Sequence, residues 1–162
     1  MGQLPVLYID HKALGQSVAI ARYVAREHGL VPSNHFLAAK ADMLVDGLND
    51  QYENVKQFSM ALMKGDAEET EKTWDTFRKH HLAGFLDMYE NFLIENGGKY
   101  FVGDHLCWAD LIIAEQLDRW LYFNKNDESL FNNHKALLKH MKYIHELPNI
   151  KKYVANRPKT LM

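Results

Sequence analysis

The segment GQLPVLYIDHKALGQSVAIARY, residues 2–23, predicts a short β-hairpin that leads directly into a helix. Residues 6–9 form a β-rich run behind a proline, and Ala13-Leu14 is a second, very short strand. Residues 10–12 between them are typical of a turn, although His11 stands where a two-residue hairpin favours glycine. This order of elements sets the first thirty residues apart from the rest of the chain.

The helix after the hairpin is expected to begin with Ser17 as its N-cap and to end before Gly29. A reciprocal capping box would need Glu or Gln three residues after the cap, and the chain has Ile20 there. The first turn therefore keeps amide donors and a favourable dipole, which suit a carboxylate or phosphate. Gln16 adds a side-chain amide beside them, so Gln16-Ser17 is a candidate anion site.

Pro5 leaves two interpretations open. It is either an ordinary proline at the edge of a strand or a cis-proline that turns the backbone of the preceding residue toward a ligand. The residue types alone do not choose between them.

The remainder of the chain predicts a helical bundle, because strand signals nearly vanish after residue 34. The fold class is therefore α+β by content but mostly α, with a hairpin–helix unit at residues 1–31 and an all-α domain at residues 32–162. Apolar periodicity predicts helices over residues 35–62, 66–95, 108–123, 129–147 and 148–157.

Asp110 has capping-box spacing from Cys107 at the start of the predicted central helix. We interpret Asp110 as a structural residue. A thiol is a poor acceptor at the cap position, so Cys107 should cost this helix about 1 kcal/mol relative to a hydroxyl cap. A helix start can also lower the pKa of a cysteine, which leaves a catalytic thiol as a minor alternative.

Composition excludes several classes of function. The chain has 162 residues, with 19 basic and 21 acidic side chains and a net charge of −2, so nothing indicates a nucleic-acid partner. No segment approaches the length of a membrane span. The single cysteine is compatible with a reducing compartment, so we expect a cytoplasmic location. The spacings of the nine histidines do not suit metal coordination, and we expect no metal.

The motifs together resemble the sigma class of the cytosolic glutathione transferases, the group that includes prostaglandin D synthases and S-crystallins. The segments QLPVL, LxQS and AIARYVA follow the family pattern through residues 3–25. The segment GGKYFVGDHLCWADLIIAE, residues 97–115, resembles its second marker, and LPNIKKYVANRPKT, residues 147–160, resembles the last core helix and tail. The resemblance implies a partial thioredoxin-like, glutathione-binding unit at residues 1–31 and the family's all-α domain at residues 32–162.

The resemblance also implies roles for particular residues. Gln3 and Leu4, before a cis Pro5, would hold the cysteinyl part of glutathione through the Leu4 backbone. Gln16 and Ser17 would hold the γ-glutamyl carboxylate.

Two residues of the helical domain also receive roles from the resemblance. Asp50 would reach the glutathione site of a partner subunit, which implies a homodimer, and Tyr52 would line the pocket for a second, hydrophobic electrophile. The family's β-α-β unit with the catalytic tyrosine would precede Met1, so no residue of this chain is expected to ionise the glutathione sulfur.

Three functions remain open at this point. The first is conjugation of glutathione to small electrophiles, or action on lipid peroxides or endoperoxides, by the complete protein. The second is a non-enzymatic subunit that binds glutathione or a hydrophobic ligand, or that serves a structural role, as in the S-crystallins. The third is a helical interaction module whose first thirty residues are vestigial.

Overall fold

The computed structural model describes residues 2–158. Met1 and the last residues of the expected helical domain, with Lys159 and Thr160 of the resembling tail, lie outside the described residues. Strands β1 and β2 precede eight α-helices in the described part of the chain, with the bounds β1 Val6–Ile9, β2 Lys12–Gly15, α1 Ser17–Glu27, α2 His35–Asn49, α3 Gln51–Lys64, α4 Ala67–Phe77, α5 Ala83–Glu95, α6 Trp108–Phe123, α7 Lys135–Glu146 and α8 Pro148–Asn156.

The two strands form an antiparallel hairpin whose register runs from Val6 opposite Gly15 to Ile9 opposite Lys12. The strand predicted at residues 6–9 is confirmed, and β2 extends one residue beyond Ala13-Leu14 at each end. Asp10 and His11 occupy the turn with φ of 46° and 67°. Both values lie in the left-handed region, where glycine or asparagine is favoured, so His11 holds a conformation for which its side chain is poorly suited.

Helix α1 begins one residue earlier than expected. Gln16, not Ser17, is the N-cap, and it has a φ of 70°. Ser17 is the first helical residue, so the prediction of a serine cap is wrong. The cause is the exit from the hairpin: Gln16 turns the chain sharply out of β2, and the helix starts immediately after that turn.

Two of the predicted long helices are interrupted in the structure. The helix expected over residues 35–62 is divided at Asp50, which ends α2 and precedes α3. The side chain of Asp50 caps neither helix. The helix expected over residues 66–95 contains a π-helical turn at Arg78–Leu82 between α4 and α5. Phe77 and Leu82, on either side of this turn, are both buried although they are five residues apart.

The helix expected over residues 129–147 is also shorter than predicted. Residues Glu128–Phe131 form a 3₁₀ turn, and α7 begins only at Lys135. Asp127 accepts hydrogen bonds from the backbone amide and the hydroxyl of Ser129, at 2.9 Å and 2.7 Å. This local bonding competes with a regular helix and favours a turn.

Helix α6 forms the centre of the bundle. Ile113 and Leu117 are completely buried, and Trp120 and the neighbouring aromatic side chains of α4 and α5 complete the core. The fold class is confirmed: the chain is mostly helical, with a two-stranded sheet at its N-terminal end. Within residues 2–158, no helix has both the length and the apolar content that crossing a bilayer would require.

Candidate functional site

The peptide bond between Leu4 and Pro5 is cis, as the second of the two interpretations of Pro5 requires. Its role in turning the Leu4 backbone toward a ligand remains a prediction. Leu4 is 90% exposed, and Gln3 and Pro5 are exposed beside it. Because Val6 pairs with Gly15 in the hairpin, Pro5 and Gln16 lie next to each other just beyond the ladder. The hairpin thus brings the Leu4 backbone to the start of α1, and these residues form one exposed edge.

The start of α1 has the properties of an anion site. Ile20 N donates the first intrahelical bond to Gln16 O at 2.9 Å, and the first turn contains no acidic residue. No side-chain cap is formed at this helix start, within the part of the chain that the structure describes. The first amides of a helix point away from its body and carry its positive end, so the exposed edge at Gln16-Ser17 suits a carboxylate.

Three contacts fix this N-terminal unit, residues 2–31, on the helical bundle. Arg22 Nε of α1 forms an ion pair with Asp42 Oδ1 of α2 at 2.8 Å. The guanidinium of Arg22 also lies over the indole of Trp108, 5.2 Å from the ring centroid. Trp108 N donates to Leu30 O at 2.9 Å. Arg22 and Asp42 were not identified from the sequence. The only signal in the sequence was the charge of Arg22 among small and apolar residues of α1.

Asp110 ties together the segments around the start of α6. Its carboxylate accepts from Phe101 N at 2.8 Å and from Cys107 N at 2.9 Å, and the side chain is fully buried. His140 Nε2 faces it at 3.7 Å. Burial raises the pKa of the Asp110 carboxyl, against the two amide hydrogen bonds, which lower it. The carboxylate therefore holds the loop from which Trp108 begins α6.

Cys107 does not have the properties of a reactive thiol. It is buried, and burial raises its pKa to about 12, with the neighbouring charge of Asp110 adding to the increase. The expectation that a helix start lowers this pKa is wrong, because burial outweighs the effect of the helix dipole. The thiol stays protonated at neutral pH, which removes the catalytic cysteine as an alternative.

Asp50 and Tyr52 are the two site residues predicted in the helical domain. Asp50 is exposed at the junction of α2 and α3, and Tyr52 is 59% exposed. The α2 residue that contacts the N-terminal unit is Asp42, about 12 Å earlier along the helix at the usual rise per residue. Within residues 2–158, no hydrogen bond or ion pair joins the side chain of Asp50 or Tyr52 to Leu4 or Ser17.

Metal ligands are not brought together in the described residues. Between residues 2 and 158, no group of three or more His, Cys, Asp and Glu side chains is arranged to hold a metal ion. The adjacent His80 and His81 lie in the π-helical turn. The expectation that the protein uses no metal remains a prediction.

Comparisons with known proteins identify the family. The model of the glutathione S-transferase C-terminal domain matches residues 52–157. Over 162 aligned residues the chain is 36% identical to probable glutathione S-transferase 6 of Caenorhabditis elegans, covering 97% of this chain and 75% of that protein. The chain belongs to the glutathione S-transferase family.

Solved structures of glutathione S-transferases share the fold over nearly the whole chain. Monomeric Na-GST-3 of the hookworm Necator americanus has a TM-score of 0.88 and 31% identity, covering 99% of this chain and 77% of that one. Prostaglandin synthase D of Nilaparvata lugens has a TM-score of 0.82 and 25% identity, covering 98% and 76%. This transferase chain therefore spans about three quarters of the length of each of these proteins.

Proposed function

We propose that this chain binds glutathione at the edge formed by Leu4, Pro5, Gln16 and Ser17. The observation that carries the proposal is the juxtaposition of the exposed Leu4 and Pro5 with the start of α1, whose first turn contains no acidic residue. A tripeptide thiol with a free carboxylate needs both features, because a backbone edge can pair with its peptide groups and a helix start can hold its charge.

Two parts of glutathione, the cysteinyl residue and the γ-glutamyl carboxylate, have matching groups in this arrangement. Leu4 is exposed and lies before the first strand, so its backbone is proposed to exchange hydrogen bonds with the cysteinyl part. Ser17 offers an amide and a hydroxyl to the γ-glutamyl carboxylate, and Gln16 offers a side-chain amide. Gln3 lies beside Leu4 and has the same potential. No residue of this chain is assigned the role of ionising the sulfur.

The reaction proposed for the complete protein is conjugation of glutathione to small hydrophobic electrophiles, or alternatively action on lipid peroxides or endoperoxides. Tyr52 is proposed to line the pocket for this second substrate, and its large exposed aromatic surface supports that role. Membership of the sigma class is also a proposal. It is supported by the likeness to prostaglandin synthase D of Nilaparvata lugens, whereas the likeness to a Nu-class glutathione S-transferase of Haemonchus contortus, with 30% identity and a TM-score of 0.75, favours a different class.

We also propose a homodimer in which Asp50 reaches the partner's glutathione. Phe36 and Met43 are 76% and 49% exposed, and they precede Asp50 by fourteen and seven residues. Residues seven apart lie on the same side of a helix, so two apolar side chains and one acid follow one face of α2. Because the similar hookworm protein is described as monomeric, light scattering of the purified chain with and without Phe36→Asp is the direct test.

The division of the chain into a glutathione-binding unit at residues 1–31 and a helical domain at residues 32–162 is likewise a proposal. It is supported by the change from hairpin to bundle at this point and by the Leu30–Trp108 hydrogen bond that joins the two parts. A cytoplasmic location remains a prediction based on the single cysteine.

Glutathione binding is tested by calorimetric titration of the purified chain and by retention on immobilised glutathione. Ser17→Ala should weaken binding several-fold, and Ser33→Ala, an exposed serine in the linker before α2, is the matched control. Equal binding by the two variants would remove the proposed site. A conjugation assay with a chromogenic electrophile then separates the two classes: binding without turnover favours the S-crystallin-like alternative, in which the protein serves as a ligand-binding or structural subunit.

A further inference from the structure

A cavity of about 610 Å³ opens between the C-terminal half of α3, helix α4 and the end of α6 with the segment that follows it. We call it the distal cavity, and its lining includes Phe58, Leu62, Thr70, Trp74, Phe123 and Asn124. Its volume lies within the range of sites that bind drug-sized molecules, roughly 300 to 1,000 Å³.

The distal cavity is separate from the proposed glutathione site. The N-terminal unit is attached at Trp108, the first residue of α6, whereas the cavity is lined by Phe123, the last residue of that helix. Fifteen residues of α-helix span about 22 Å. A molecule in this cavity would therefore occupy the opposite end of the bundle from glutathione.

Three aromatic rings form the floor of the distal cavity. The ring centroids of Phe58 and Phe123 are 4.8 Å apart, and that of Trp74 lies 5.2 Å from Phe58 and 6.0 Å from Phe123. Phe58 and Trp74 are almost fully buried from solvent. All three residues line the cavity, so a flat aromatic ligand would meet an aromatic surface, a contact that is favourable in stacked or edge-on geometry.

Charged side chains surround this aromatic floor. Lys125 Nζ is paired with Glu71 Oε1 at 3.0 Å, and Arg78 Nη2 with Asp75 Oδ1 at 2.7 Å. Both basic residues of the rim thus already have a carboxylate partner. An anionic ligand would have to compete with these pairs.

Asp127 is the third carboxylate of the rim, and it makes the lining net negative. Within residues 2–158, no ion pair shorter than 4.0 Å involves it. Hydrogen bonds from Ser129 lower its pKa, and the nearby charge of Arg78 acts in the same direction, so the group is ionised at neutral pH. The excess charge at the rim is complementary to a cation.

We propose that the distal cavity binds a planar aromatic molecule that carries one positive charge. The rings of Phe58, Trp74 and Phe123 contact its aromatic surface, and Asp127 attracts its charge. This site is independent of glutathione and of the transferase reaction.

The test is calorimetric titration of the purified chain with proflavine, a flat three-ring cation. One molecule per chain should bind. Thr70→Phe narrows the cavity and should weaken binding about tenfold, through lost contact with the aromatic floor. Thr76→Phe is the matched control, because this threonine makes the same hydroxyl bond to the carbonyl four residues earlier in α4 but does not line the cavity. Equal binding by the two variants would overturn the proposal.

A second pair of variants tests the charge and does not depend on packing. Asp127→Asn should weaken proflavine binding about fivefold, the effect of one opposite charge near a protein surface. Glu128→Gln removes the same charge from the next residue, which does not line the cavity, and should leave the affinity unchanged. If Asp127→Asn has no effect, or if the anion 1-anilinonaphthalene-8-sulfonate binds as tightly as proflavine, the cationic ligand is wrong. Neither titration uses glutathione, so failure leaves the proposed function untouched.

Discussion

The hydroxyl of Tyr89 donates a hydrogen bond to the main-chain carbonyl of Leu44, joining α5 to α2 inside the bundle. Burial raises the pKa of this phenol, with a further contribution from the charge of Asp50, so the hydroxyl remains a donor at every physiological pH. The same hydroxyl also lies close to Gly47, in the next turn of α2. A Cβ atom added to Gly47 would stand 2.8 Å from the hydroxyl oxygen of Tyr89. Glycine at position 47 is therefore required by Tyr89.

Gly47→Ala should destabilise the protein by about 1 kcal/mol. The clash with the fixed hydroxyl costs about 2 kcal/mol, and the better helix propensity of alanine returns about 1 kcal/mol. In a Tyr89→Phe background, which itself loses about 1 kcal/mol of hydrogen bonding, the same substitution should become stabilising. Urea denaturation of the four proteins measures this double-mutant cycle. Identical effects of Gly47→Ala in the two backgrounds would contradict the contact.

Asp110→Asn should lower the free energy of unfolding by about 3 kcal/mol. Both carboxylate oxygens of Asp110 accept a hydrogen bond, whereas the side-chain amide of asparagine has only one acceptor oxygen. Its NH₂ group would face the amide of either Phe101 or Cys107. Glu115→Gln, on an exposed part of the same helix, is the control and should change stability by less than about 0.5 kcal/mol. Denaturation midpoints of the two variants settle the comparison, and equal midpoints would mean that Asp110 does not hold the loop.

Cys107 should make stability fall at high pH. Its native pKa is raised from 9.0 to about 12, so below pH 9 the thiol is protonated in both states and its contribution to stability is fully present. As the pH rises from 9 toward 12, the unfolded chain releases this proton and the native chain retains it. Stability is therefore lost by up to about 1.4 kcal/mol for each pH unit in this window.

Cys107→Ser removes the titrating thiol. Comparison of this variant with the wild type therefore separates the effect of Cys107 from the titrations of lysine and tyrosine. The difference in unfolding free energy between the wild type and Cys107→Ser should be constant from pH 7 to 8.5 and should move in favour of Cys107→Ser above pH 9. A disulfide reagent should also label the native thiol far more slowly than the denatured one. A pH-independent difference together with rapid native labelling would show that the thiol is not buried.

Glu90 of α5 caps another helix from a distance. Its two carboxylate oxygens accept from the first-turn amides of α7, Ala136 N at 2.9 Å and Leu137 N at 2.8 Å. Glu90→Ala leaves these donors without that acceptor and should cost about 1.5 kcal/mol. Glu95→Ala, in the last turn of α5, is the matched control and should have little effect. Thermal unfolding of both variants checks the difference, and the amides of Ala136 and Leu137 should exchange faster only in Glu90→Ala.

The hairpin and the bundle could be predicted from local pattern, because residue type and apolar period determine them directly. The start of α1 could not be placed to the residue, because the residue type at position 16 does not indicate the positive φ with which Gln16 leaves β2. The breaks at Asp50 and at Arg78–Leu82 were missed for a related reason. The apolar periodicity of the sequence continues through both breaks. Only the packing against other helices shows that the regular α-helix is interrupted there.

The candidate site was predicted unevenly. The residues near Pro5 and Gln16 could be grouped because the hairpin brings them together over a short stretch of chain. The burial of Cys107 could not be foreseen, since it depends on how the loop folds over α6. The roles of Asp50 and Tyr52 remain predictions, because they concern a partner subunit and a second substrate.

The π-helical turn between α4 and α5 determines where this long helical arm can change its length. Successive residues of an α-helix are rotated by about 100° about the helix axis. The wider π-helical turn accommodates one extra residue, so the residues of α5 are not rotated by its presence. Deletion of a single residue between Phe77 and Leu82 would restore an ordinary α-helical turn. The side chains of Tyr89 and Glu90 would then keep their present directions. The same loss one turn later would swing both side chains away from Leu44 and α7. Natural variation in length along this arm should therefore be confined to that one turn.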